Sequence, residues 1–158
     1  MNDHLIEIIF RNLSADKVGA LLKDLSSNGK EIVNYNLTCD CPDIDWGVET
    51  SIERIFLEKE SFGLFINLKE LIKYNICLPN CGIAVYKDKK TINLEINFQL
   101  LDLKSIPITD LTTKLMKLAK SIAVQYKIND YFCGLEPARE TKTRLFTNEQ
   151  IGPFSIES

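Results

Sequence analysis

Residues 109–127 constrain this chain more than any other stretch, because they read as one long amphipathic helix running straight into a short apolar strand. Thr109 is a natural N-cap, and Asp110 suits the positive end of the helix dipole. Leu111, Leu115, Leu118, Ile122 and Tyr126 then recur at steps of three and four, which marks one face of a helix. Met116, Ala119 and Ala123 widen that stripe, while Lys114, Lys117, Lys120 and Gln125 fall mostly on the opposite side. Asn129-Asp130 is a turn signal, and Tyr131-Phe132-Cys133-Gly134-Leu135 is apolar enough to be a buried strand. Pro137 lacks a backbone donor and disfavours helix at Glu136, so pairing should end there. A helix with one apolar face must cover a sheet, and the rest of the chain has to supply it.

The cleanest strand signal is Thr91–Leu101. Ile92, Leu94, Ile96, Phe98 and Leu100 face one way, and Asn93, Glu95, Asn97 and Gln99 the other, which describes an antiparallel strand with one wet face. With Gly82–Tyr86 it forms a hairpin around Lys87-Asp88-Lys89-Lys90. His4–Arg11 reads as a first strand, followed by a helix from Ser14 to about Leu25 on Val18, Leu21, Leu22 and Leu25. Asn28-Gly29 turns the chain into a strand over Glu31–Thr38. Ser51–Glu60 reads as strand on Ile52, Ile55 and Leu57, and Phe62–Tyr74 as a strand followed by a short helix, with a turn at Leu78-Pro79-Asn80. Thr147 and Gln150 have the spacing of a capping box for one short turn. The expected architecture is α+β: a mostly antiparallel sheet of about five or six strands, with helices 14–25 and 109–127 on one face. The β-α-β start and β-β-α-β finish suit a ferredoxin-like arrangement with an inserted middle. Residues 1–158 are expected to form one domain, with the segment 139–154 packed back on the body because Leu145, Phe146, Ile151 and Phe154 are too apolar for a free tail.

Composition excludes several classes of function. A formal charge of -3 and a pI near 5.3 leave no basic footprint for nucleic acid or anionic membrane. No apolar run approaches the roughly 20 residues that span a bilayer. The start, Met1-Asn2-Asp3-His4, lacks the basic region of a signal peptide, and five cysteines suit reduced thiols in a cytoplasm. Glycine-rich phosphate loops and a serine-nucleophile elbow are missing from the sequence, and no cofactor is expected.

Three groups of residues carry potential chemistry. Cys39, Cys41, Cys77 and Cys81 offer thiolates for zinc, but their spacing is not that of the common knuckles, and the plainer reading is small apolar side chains. Cys133 and His4, the single histidine, offer a nucleophile and base if the first and last strands are neighbours; the plainer reading is a core cysteine. Asp40, Asp43, Asp45 and Glu49 crowd the loop that holds Trp46. Their oxygens suit a hard cation, or simply solvent; the reading favoured here is an aromatic anchor ringed by carboxylates that steer a basic protein partner.

Tyr131-Phe132-Cys133-Gly134-Leu135-Glu136-Pro137-Ala138, with Thr143-Arg144-Leu145-Phe146-Thr147 and Ile151-Gly152-Pro153, resembles the C-terminal portion of small bacterial immunity proteins, the cytosolic partners of polymorphic and contact-dependent toxins. The resemblance implies a non-enzymatic inhibitor that binds one cognate toxin domain. The Asp40–Glu49 loop is then the expected contact region, and the solvent face of Thr91–Leu101 a second. Alternatives are a small thiol- or metal-dependent enzyme and a homo-oligomeric structural domain; monomer and homodimer are both compatible with the sequence.

Overall fold

The computed structural model describes residues 4–103 and 106–156. The expectation about the unexported start rests on Met1–Asp3, which lie outside the described residues. In chain order the elements are β1 (Leu5–Arg11), α1 (Ala15–Leu25), β2 (Ile32–Leu37), α2 (Glu49–Glu58), β3 (Ser61–Lys73), β4 (Ile76–Asp88), β5 (Thr91–Gln99), α3 (Ile108–Tyr126), β6 (Asp130–Leu135) and β7 (Arg144–Thr147). The strands form one antiparallel sheet in the order β2-β3-β4-β5-β1-β6-β7, seven strands where five or six are expected from the sequence. β1 lies between β5 and β6, the two strands that α3 connects. This is the split β-α-β of ferredoxin-like folds, extended on one side by β3 and β2.

Register makes the two faces of the sheet easy to separate, because residues opposite one another share a face. Tyr35, Ile66, Ile83, Ile96, Ile8, Cys133 and Phe146 form one continuous row across all seven strands. All but Tyr35 are fully or almost fully buried, and they join Val18, Leu21 and Leu22 of α1, Ile52 and Phe56 of α2, and Leu111, Leu115, Leu118 and Ile122 of α3 in the main core. The neighbouring row, Asn34, Asn67, Gly82, Asn97, Glu7 and Gly134, lies on the opposite face. The α3 stripe read from the sequence is therefore the stripe that is buried. Asp24 of α1 ties the elements together: it accepts from Tyr126 Oη at 2.7 Å and pairs with Lys73 Nζ at 2.5 Å.

Five local expectations are corrected. Ser51–Glu60, expected as strand, is helical through Glu58 as part of α2. Its buried side chains are Ile52, Ile55 and Phe56, the three-and-four spacing of a helix, whereas Leu57 is 70% exposed. Phe62–Tyr74 contains no helix, because β3 continues to Lys73. The turn lies at Tyr74-Asn75, where both residues take positive φ (50° and 65°), as a two-residue hairpin requires. Leu78-Pro79-Asn80 is thus inside β4, opposite Glu70 and Leu71. The N-cap of α3 is Pro107, not Thr109, and β5 ends at Gln99 in a short 3-10 turn over Leu100–Asp102.

The last part of the chain crosses to the helix-free side. Ala138 is fully buried there with Ile9 and Phe132 in a small second cluster. Gly134 makes this approach possible: a Cβ on it would lie 2.7 Å from the Thr143 carbonyl oxygen and 3.2 Å from Ala138 Cα. The guanidinium groups of Arg11 and Arg144 lie 5.1 and 4.9 Å from the centroid of the Phe132 ring, within cation–π range. Thr147 Oγ1 accepts from the backbone N–H of Glu149 and Gln150 at 3.1 Å, so the capping pattern closes a turn after β7.

Candidate functional site

Residues 43–47 of the loop between β2 and α2 alternate strictly. Ile44 and Trp46 are buried, at 8% exposure each, and Asp43, Asp45 and Gly47 are exposed between them. Trp46 is therefore corrected from surface anchor to core residue. Its ring meets Tyr35 edge-on at 5.2 Å between centroids, and its Cβ lies against Gly29. Gly29 has φ +84° and no room for a side chain: an added Cβ would sit 2.5 Å from Trp46 Cβ. The indole Nε1 is buried without a hydrogen-bond partner. Tyr35 Oη accepts the Ile44 amide at 3.2 Å, which further fixes the loop. The four carboxylates do not share one job. Asp40, Asp43 and Glu49 are exposed. Asp45 Oδ1 accepts the Gly47 amide at 3.1 Å and its own amide donates to Ser51 Oγ at 3.0 Å, so Asp45 shapes the chain leading into α2.

The thiols are dispersed. Cys39 and Cys41 lie 3.8 Å apart, sulfur to sulfur, on the loop after β2. Cys77 donates to Glu70 Oε2 at 3.4 Å, whereas Cys81 is buried in the main core, and burial pushes its thiol up to about 12. Among the described residues no three His, Cys, Asp or Glu side chains converge as a metal-binding group. Cys133 is fully buried opposite Ile8, and burial first, then the Glu7 carboxylate, hold its thiol far above the usual range. His4 is exposed and lies four residues along β1 from Ile8, roughly 13 Å at the rise of a strand. The first and last long strands are indeed neighbours, yet the nucleophile and base they carry are not brought together.

The helix-free face of the sheet is the surface on which the architecture leaves side chains available. Across β2 to β5 it presents an amide row, in which Asn67 Nδ2 donates to Asn34 Oδ1 at 2.6 Å and the Asn97 amide lies over Gly82. Beside it Phe65 and Tyr86 meet edge-on at 5.7 Å and stay exposed (37% and 43%). Glu7 and Glu95 lie on this face at diagonal positions of β1 and β5, half-buried. Burial first, then Glu95 and Glu136, raise the Glu7 carboxyl above its usual range, with Arg139 offsetting part of the effect. Burial raises Glu95 as well; Arg139 offsets and Glu136 adds to the shift. Sequence reading reached one edge of this surface, the polar set of β5. Glu7 was hidden in a strand whose neighbours are apolar on both sides, and Glu136 and Arg139 reach the surface only because the tail folds over β6.

The chain is thus an α+β fold with its three α-helices on one side of the sheet and an open, partly acidic, partly aromatic face on the other. Comparison with known proteins makes this particular. A family model described as PABL017 Cdi1I immunity protein matches residues 4–151, and the chain belongs to that family. A crystal structure of the toxic C-terminal tip of CdiA from Pseudomonas aeruginosa in complex with immune protein contains a chain of the same fold. The TM-score is 0.79 at 23% identity, covering 95% of this chain and 97% of that one. No curated protein matches.

Proposed function

We propose that this protein neutralises a cognate contact-dependent toxin by binding its toxic domain directly, as a non-enzymatic inhibitor acting in the cytoplasm. The observation that carries this reading is the match of the immunity family across residues 4–151, nearly the whole chain. The open sheet face supports it, because a broad surface of amides, carboxylates and aromatic rings suits recognition of a folded protein. Among the described residues no helix is long and apolar enough to cross a membrane. The exposed carboxylates of Asp40, Asp43 and Glu49, with Asp45 at the turn, form a proposed contact region without Trp46. Residues 1–158 are read as a single domain, with the 139–154 segment part of the same body. The test is co-expression with the cognate toxin domain, sought as the C-terminal part of a large secreted protein in the neighbouring reading frame. Restored growth and a stable one-to-one complex are expected; continued killing, with this protein folded and abundant, would remove the proposal.

A further inference from the structure

The open face of the sheet also indicates what kind of partner surface it takes, an inference that rests on the toxin-binding reading above. Three carboxylates share this face. Glu7 and Glu95 are diagonal neighbours on β1 and β5, and Glu136 follows β6 beside Leu5, its amide donating to the Leu5 carbonyl at 2.9 Å. Glu95 and Glu136 raise the cost of ionising Glu7, and Glu136 that of ionising Glu95. Among the described residues the ion pairs are Arg11 with Asp130, Lys73 with Asp24 and Lys142 with Glu140, so none of the three is held in an internal ion pair. Arg139 is close enough to soften their repulsion but not to pair with them. Half-burial keeps Glu7 and Glu95 from being fully solvated, and adjacent like charges raise the cost of ionising them. Next to them stand Tyr86, itself within the field of Glu95 and Glu7, and Phe65, whose exposed rings offer apolar surface and an electron-rich face.

We infer that this face docks a basic segment of the toxin domain, with a lysine or arginine head set among Glu7, Glu95 and Glu136 and its aliphatic stem lying along Tyr86 and Phe65. An incoming cation removes the repulsion between the carboxylates, and it gains from a site that is already partly desolvated. A second copy of this chain is a poor occupant, because two such faces would bring like charges together. Nucleic acid is repelled for the same reason.

The experiment measures affinity, by calorimetry, for the cognate toxin domain identified by the co-expression test, alongside thermal stability. It uses the wild-type protein, Glu7→Gln/Glu95→Gln, and Tyr86→Ala. The double variant should bind about tenfold or more weakly and lose part of the salt dependence of binding, and Tyr86→Ala should weaken binding severalfold. The melting temperature of the double variant should stay level or rise, a combination that simple damage to the fold does not produce. If wild type and double variant bind alike, this docking surface is wrong while the toxin reading stands. If the wild-type protein does not bind the toxin domain at all, both fall. Association of the wild-type protein with itself through this face would also overturn the inference, by naming a second copy as the occupant.

Discussion

The two sides of β5 meet opposite environments although they are built by the same nine residues. Ile92, Leu94, Ile96 and Phe98 are buried to 1% or less beneath the helices. Asn93, Glu95 and Asn97 stay half-buried on a face that no helix covers. On the helix side every strand contributes to one apolar row, so that face has a single task. The other face changes character along the sheet. Near β6 it is apolar (Ile9, Phe132) because the tail covers it, and toward β2 it is polar because nothing does. A sheet face is therefore not polar or apolar by position; the segment that folds over it decides.

Removing large side chains from the helix side should have the greatest effect. Trp46→Ala should cost about 3–5 kcal/mol, and Ile96→Ala about 2–5 kcal/mol, read by denaturant unfolding. Its neighbour Asn97→Ala should stay within about 0.5 kcal/mol; equal losses at 96 and 97 would erase the distinction between the faces. Gly134→Val probes the boundary where the tail covers the open side. Its side chain would strike the Thr143 carbonyl, costing about 1–3 kcal/mol and exposing Arg139 and Lys142 to faster trypsin cleavage.

Smaller effects sharpen the contrast in charge. The Glu7 and Glu95 carboxyls are raised above their ordinary value of 4.5 in the folded protein, so the folded state holds their protons more tightly than the unfolded one. Their contribution is favourable at low pH and is lost as pH rises through the raised values. Glu7→Gln/Glu95→Gln should therefore be more stable than wild type at pH 7. Solvent screening keeps the gain under about 1 kcal/mol, and it should vanish below about pH 4. A variant less stable at pH 7 would mean that these carboxylates support the fold. The smallest signal is chemical: Cys133 should react with iodoacetamide at neutral pH far more slowly than a free thiol, because it is sealed in the helix-side core.

Legibility followed local periodicity. The α3 stripe, the β5 alternation and the strand after α3 were all readable, because each is a repeat of side chains along a short stretch of backbone. The α2 error had the same origin: Ile52, Ile55 and Phe56 already spelled a helix, but substituting Leu57 for Phe56 produced the appearance of a strand. Asp43-Ile44-Asp45-Trp46-Gly47 also alternates, and that alternation was the available signal that Trp46 points inward. The turn at Tyr74-Asn75 was harder to see, since tyrosine is no ordinary turn residue and Leu78-Pro79-Asn80 is a stronger local signal.

By itself the amino-acid sequence determined the α+β class, the helices that follow the first and fifth strands, and the acidic character of the chain. Only the tertiary structure decided which residues share a surface. Glu7, Glu95 and Glu136 come together because β1 is inserted between β5 and β6 and the chain then folds back over Gly134. Such adjacency depends on strand order and on how one segment covers another, and neither leaves a periodic trace along the chain.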